Sequence, residues 1–311
     1  MTFSRSVKIA LMSVSFVGIS VLPVLAQTHS ADLPILSETS TYNVLEEKSD
    51  SKLQARLETE INQRPKWKQL VEEKKMSVSL VDISNITNPS YAALNGEHTL
   101  YAASLPKIGI LLAAFQKIHD GDIVDTPRLR DDLTQMIRVS SNVSATKVID
   151  ELGGLDAVNT VLKDPRYQLY DEENGGGLWV GKRFAKTGAR IGDPMKDISH
   201  AASSYQVSRF YYLLATGRLV SPEASKDMLD ILCQPGIDHK FVASLSRLVN
   251  PSQIFRKSGS WRNYHSDSVL VWDDDGRRYI LVGLVVSPEG GKILRNLVPV
   301  AERVLRASHE K

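Results

Sequence analysis

The spacing of apolar positions changes character along this chain. Leu53, Leu57 and Ile61 recur four residues apart, which predicts a helix with one buried stripe. The stretch "MSVSLVDI" then alternates as a strand does, and a second strand is expected around Tyr91 to Leu94. From about 104 to 250 the pattern is helical. It runs through "SLPKIGILLAAFQKI", a face formed by Leu129, Leu133, Met136 and Ile137, then "AVNTVL", "SRFYYLLATG" and "EASKDMLDIL". The end returns to strands in "QIFRKSGSW", "SDSVLVW" and "RRYILVGLVVS", the last two joined through Asp273-Asp274-Asp275-Gly276 as a hairpin, and closes on the helix "KILRNLVPVAERVLRA". Early and late strands that bracket a helical insert imply an α+β fold. Its antiparallel sheet, first strands pairing with last, is flanked by helices (about 49–103 and 251–311) and joined to a mostly helical lobe (about 104–250). A cleft between the lobes is the expected site.

The first 26 residues read differently. Arg5 and Lys8 precede an uncharged apolar run from Ile9 to Leu22, and Val24-Leu25-Ala26 fits a small-residue cleavage site, so 1–26 is expected to be a secretory signal peptide. The run is short for a membrane span of about 20 residues, so no stable anchor is expected after cleavage, and the mature chain should be periplasmic or secreted. Residues 27–48 lack periodicity and read as a mobile leader, with the catalytic domain over 49–311.

Removing Arg5 and Lys8 leaves 36 basic residues against 36 acidic ones, which argues against a nucleic-acid surface. Cys233 is the only cysteine, so no internal disulfide can form, and it reads as a buried small hydrophobe. The seven histidines form no metal-ligand motif, and neither a metal nor a cofactor is implied.

Serine catalysis needs a hydroxyl beside a base and an oxyanion hole. Ser-x-x-Lys on a helix supplies the first two, because side chains three apart share a face. The motif occurs at Ser49, Ser104, Ser144 and Ser308. Only Ser104 opens a long apolar helix. The alternative for Ser104 is a plain helix cap with Pro106 in the first turn, but capping does not account for Lys107 among apolar neighbours. Downstream, "MIRVSSNVSATKVIDEL" places Ser140-Ser141-Asn142 between two helices.

Ser104-x-x-Lys107 followed by Ser140-Ser141-Asn142 resembles the class A β-lactamases and penicillin-binding proteins, whose third motif is Lys-Thr/Ser-Gly. Two candidates exist for that third motif. Lys186-Thr187-Gly188 has glycine on both sides and no alternation. Lys257-Ser258-Gly259 follows "QIF", precedes Ser260 and leads into two strong strands, so Lys257 is chosen. Gly176 to Lys182 also matches the start of a phosphate-binding loop, but Arg183 stands where Ser or Thr is required, and the glycines read instead as an extended loop over the cleft.

The resemblance spans the chain from about residue 50. It implies Ser104 as acylated nucleophile, Lys107 as general base, Ser140 as proton relay and Asn142 as a contact to the substrate amide. Lys257, Ser258 and Gly259 would form the carboxylate-binding strand, and the Ser104 and Ser260 N–H groups the oxyanion hole. The implied substrates are β-lactams or peptidoglycan stem peptides. Three departures stand out: the Lys107-to-Ser140 stretch is short, Ser141 replaces the usual Asp, and the family's Glu-x-x-Leu-Asn loop is absent. In the loop "DPRYQLYDEENGGGLWVGKRF" only Glu172 and Glu173 stand in for the glutamate that activates the deacylating water, and each also reads as a solvated charge. Arg262 and His265 are either further carboxylate contacts or surface residues of the strand turn. β-Lactam hydrolysis leads these expectations. A D-Ala-D-Ala peptidase or slowly deacylating penicillin-binding protein is the alternative, and a binding module without turnover is the third.

Overall fold

The computed structural model describes residues 45–309 together with Met1. The expected signal segment and most of the leader lie outside the described residues. Leu45 is already fully buried in a 3₁₀ turn, Leu45–Lys48, so core packing begins four residues before the expected start. Helix α1 (Ser51–Asn62) is capped by Asp50, whose carboxylate accepts from the Lys52 and Leu53 amides at 2.9 and 3.0 Å, a device contributing about 1 kcal/mol. It buries the predicted stripe Leu53, Leu57 and Ile61. Helix α2 (Pro65–Glu72) follows, then strands β1 (Met76–Asp82), β2 (Ser90–Leu94) and β3 (Leu100–Tyr101).

The helical lobe holds α3 (Lys107–His119), α4 (Pro127–Arg138), α5 (Asn142–Glu151) and α6 (Leu155–Lys163). After the short strands β4 (Tyr170–Asp171), β5 (Gly176–Gly177), β6 (Trp179–Val180) and β7 (His200–Ala202) come α7 (Ser204–Ala215), α8 (Pro222–Leu232) and α9 (Phe241–Leu245). Strands β8 (Ile254–Trp261), β9 (Tyr264–Trp272) and β10 (Arg278–Val286) and helix α10 (Gly290–His309) complete the chain.

The main sheet is antiparallel in the order β2-β1-β10-β9-β8, so the first strands pair with the last, from Met76 opposite Val285 to Asp82 opposite Tyr279. The β9–β10 hairpin turns through Asp273 to Gly276, where Gly276 takes the left-handed φ of 88° that the turn requires. One sheet face packs against α1, α9 and α10, and the other against the helical lobe. The alternation in β1 therefore does not mark a solvated face. Ser77 and Ser79 are both buried, and each pairs with the Ser204 hydroxyl of α7, at 2.7 and 2.8 Å. Cys233 is buried as expected of a small hydrophobe.

Two features aim the sheet at the cleft. Arg256 and Asp267 form a cross-strand ion pair at 2.7 and 2.9 Å, essentially without solvent contact, and Asp267 also accepts the Phe241 amide that starts α9. Removing one partner would strand a buried charge at a cost of about 3–5 kcal/mol. The pair sits one residue from Lys257. A second, small sheet, β3-β7-β6, ties the segment before Ser104 to the helical lobe. Strands of two or three residues are too short to leave a period in the sequence.

Among the described residues no helix is long and apolar enough to cross a membrane, and no group of three His, Cys, Asp or Glu residues is placed to hold a metal.

Candidate active site

Ser104 lies on a tight turn between β3 and α3, three residues before regular helix begins. The turn is closed by i to i−3 bonds, Lys107 N to Ser104 O at 3.3 Å and Ile108 N to Leu105 O at 3.2 Å, consistent with Pro106 having no amide to donate. Ala103 takes a left-handed φ of 52°, a strained position for a residue with a side chain, immediately before the serine. Helix α3 is buried from Lys107 through Gln116, so the Lys107 amine rises from the core.

That amine donates to Ser140 O at 2.8 Å, Asn142 Oδ1 at 2.8 Å and Ser141 O at 3.3 Å. Burial depresses its pKa to about 7, so near neutral pH a large fraction carries a free lone pair. Its acceptors are the second motif itself. Ser140 adopts a left-handed φ of 59° where α4 passes into α5, and Ser141 caps α5 by accepting the Ser144 amide at 3.1 Å. Ser and Asp are comparably good caps, which gives the middle position of this motif a structural task that serine fulfils.

Lys257 reaches the same junction from the edge strand β8. Its amine donates to Ser140 Oγ at 2.9 Å and to Ser258 O at 2.7 Å. Complete burial, then the neighbouring Lys107 and Arg256 cations, push its pKa well down. Ser258 Oγ hydrogen-bonds His239 Nε2 at 3.2 Å. Gly259 lies against the nucleophile turn. A Cβ there would come within 2.2 Å of Ala102 O and 2.6 Å of Ser104 N. Only glycine permits that approach, so Gly259→Ala is expected to push β8 away from Ser104 and slow acylation at least about tenfold while the fold persists, as read by adduct formation and thermal denaturation.

Ser104, Asn142 and Ser260 line one cleft of about 710 Å³. One wall is aromatic: Tyr101 packs on Tyr264 (5.1 Å between centroids) and Trp261 (5.5 Å). The other is the loop from Gly181 to Ser199, pinned at its base by Gly181 N to Ser199 O and Ile191 N to Gly181 O. It supplies Lys182, Arg183, Lys186 and Arg190 to the wall. Lys186 is therefore a cleft-wall residue, whereas the Ser140 hydroxyl is met by Lys257. The carboxylate in the lining, Asp197, is paired with Arg190 at 2.8 Å.

The loop expected to hold a deacylating base reaches the cleft only through its last residues, Lys182 to Phe184, and its two glutamates do not. Residues 170–177 fold into a tight β4–β5 hairpin, with Gly177 at φ 145°, where a Cβ would meet Leu169 O at 2.3 Å. The glycine run serves close packing there instead of spanning the cleft. Glu172 and Glu173 are exposed on that hairpin's turn and are absent from the cleft lining. What faces Lys107 is Phe184, its ring centroid 4.5 Å from the amine, stacked in parallel on His200 at 4.3 Å. His200 is buried, and its pKa falls to about 4 through burial and the Lys107 and Lys182 cations. Phe184, His200, His239 and Lys240 were not singled out from sequence, because a lone Phe, His or Lys carries no spacing signal.

The other Ser-x-x-Lys serines stay outside the cleft lining. Ser49 bridges to Tyr91, Ser144 is inside α5, and Ser308 is in the last turn of α10. Arg262 stacks on Trp261 at 4.4 Å in the β8–β9 turn, and His265 packs against Gly290; neither lines the cleft.

Comparison with known proteins adds the following. The Beta-lactamase enzyme family matches residues 125–298, and the comparison with curated proteins found no match. Among solved structures, PBP-A superposes with a TM-score of 0.61 at 18% identity, covering 85% of this chain and 98% of that one. A class A beta-lactamase from Bacteroides cellulosilyticus gives 0.62 at 16% identity, covering 83% and 100%. A point mutant of PBP-A, as an acyl-enzyme complex with penicillin G, gives 0.60 at 19% identity, covering 85% and 99%. At these identities the likeness is one of fold.

Proposed function

The chain belongs to the Beta-lactamase enzyme family, and within it we propose an exported, penicillin-binding serine enzyme that acylates readily on β-lactam amides and deacylates slowly. Its natural substrates would be the peptidoglycan stem peptides that β-lactams imitate, which fits a periplasmic or secreted chain. The observation that carries this reading is Phe184 over Lys107. Lys107, buried and with a lowered pKa, lies one turn from Ser104, while an apolar ring faces its amine and neither Glu172 nor Glu173 lines the cleft.

In this scheme Ser104 Oγ attacks the substrate carbonyl and its proton passes to neutral Lys107 Nζ. Lys107 now hydrogen-bonds to the Ser140 junction, so the step requires the amine to turn toward Ser104. The oxyanion is held by the Ser104 and Ser260 amides. As the carbonyl C–N bond breaks, the Ser140 hydroxyl protonates the leaving nitrogen and takes back the proton that Lys107 received from Ser104, so that Lys107 is neutral again. Lys257 keeps its proton and its hydrogen bond to Ser140 Oγ. A substrate carboxylate beside Lys257 and Ser258 raises the depressed Lys257 pKa and so favours the ammonium form that binds it. Asn142 holds the substrate amide. Support for acyl-enzyme chemistry also comes from PBP-A, a structural neighbour of which a mutant forms an acyl-enzyme complex with penicillin G.

Mixing the mature chain with a chromogenic cephalosporin tests this. The expected result is a burst of about one equivalent of colour and a persistent adduct in the intact mass, both lost in Ser104→Ala. Sustained colour with only a transient adduct would make the protein a turnover β-lactamase. Ligand affinity without any covalent species would make it a binding module.

A further inference from the structure

We propose that buried Lys240 sets the oxyanion hole by holding the Gly259–Ser260 peptide from behind, and is thus a positioning residue for acylation; the inference rests on the acyl-serine reading above. Lys240 is 5% exposed, at the start of α9, in a left-handed conformation of φ 53°. Its amine donates to Gly259 O at 2.5 Å and to Ser266 O at 3.0 Å.

The Gly259 carbonyl and the Ser260 N–H belong to one planar peptide unit, and the described residues contain no cis peptide bond. In a trans unit the two groups point in opposite directions. Fixing the carbonyl on the Lys240 side therefore aims the N–H away from it, out of edge strand β8, and Ser260 lines the cleft with Ser104. The other donor is tied to the same bracket. Ser266, whose carbonyl Lys240 also holds, donates its hydroxyl to Ala102 O at 2.8 Å, two residues before Ser104.

The bracket is electrostatic as well as geometric. A cation on the carbonyl oxygen polarises the peptide and strengthens its N–H as a donor, most of all in a low-dielectric site. Among the described residues no carboxylate is hydrogen-bonded to Lys240, and Asp267, whose charge favours its protonated form, is engaged by Arg256 and the Phe241 amide. A buried cation whose acceptors are two carbonyls is costly to keep unless it serves the charge that develops in the cleft. Burial brings its pKa to about 8, with Asp267 opposing and Arg256 reinforcing the shift, so it remains mostly protonated at pH 7.

The test compares Lys240→Met with the parent in two measurements. One is the acylation rate with a chromogenic cephalosporin. The other is the inhibition constant of phenylboronic acid, which forms a tetrahedral adduct on a reactive serine and reads the oxyanion hole without cleavage of an amide. Both are expected to weaken by a similar factor, about 10- to 100-fold, whereas a merely structural role would lower the active fraction and leave the boronate constant unmoved. A folded Lys240→Met with boronate affinity within twofold of the parent overturns the proposal, as does an acylation loss that boronate affinity does not follow. Should Lys240→Met fail to fold, Ser266→Ala is read in the same way, with a smaller effect in the same direction expected and an unchanged boronate constant overturning it. A parent that binds phenylboronic acid but forms no cephalosporin adduct overturns the acyl-serine reading alone, and the boronate comparison then still decides the role of Lys240.

Discussion

Phe184→Glu is expected to convert a persistent penicillin adduct into a transient one, speeding deacylation by about 10²- to 10⁴-fold, the range general base catalysis supplies. The ring now lies 4.5 Å from the Lys107 amine and on His200, at the cleft wall beside Ser104. A carboxylate at that position would face the lysine and could take a proton from water entering behind the acyl group. The substitution gives up aromatic stacking of about 0.5–1.5 kcal/mol, which a core of this size tolerates. It also places an anion beside Lys107, raising a pKa that burial has lowered, so acylation at neutral pH should slow as deacylation quickens. Adduct lifetime in the intact mass after removal of free penicillin decides the matter; a lifetime equal to the parent's would show that Phe184 does not limit water activation.

Lys107→Met should lower the acylation rate about 10²- to 10⁴-fold and abolish its pH dependence near neutrality. Below the folded-state pKa of about 7 the amine is protonated and cannot accept the Ser104 proton, so the parent rate rises with pH through that value and then levels. The groups around the amine are Ser140, Ser141, Asn142, Phe184, Lys257 and His200. None of the six is an anion that would hold the ammonium form. The same shift has a stability sign. Between about 7 and the ordinary lysine value of 10.5 the unfolded chain binds more protons than the folded one, so this group's contribution to stability rises with pH across that window. A parent acylation rate flat from pH 5.5 to 8.5 would remove Lys107 from the role of base.

Much of the candidate site is legible in the sequence because its groups are local. Ser104 and Lys107 share one turn, Ser140 to Asn142 occupy one interhelical junction, and Lys257 to Ser260 lie in one strand, so spacing and helix or strand context suffice to pick each out. The choice of Lys257 over Lys186 rested on the strand pattern around it, and the structure places Lys257 at the Ser140 hydroxyl and Lys186 in the loop wall. The two glutamates of the expected deacylation loop fall outside the cleft, on the β4–β5 turn, because strands of two residues leave no period that would reveal the hairpin. The glycine run that looked like a loop over the cleft is instead a hairpin packed on Leu169 and Gln206.

From the chain alone followed the α+β class, the pairing of early with late strands, and the three motif segments, since periodicity and motif spacing are properties of neighbouring residues. Tertiary structure alone decided which groups tune those segments. Phe184 reaches Lys107 across 77 positions, Lys240 braces Gly259, and His239 meets the Ser258 hydroxyl. Such contacts arise when separate elements are packed together, and the burial that packing brings lowers the pKa of Lys107 and Lys257, a consequence no local pattern of residues encodes.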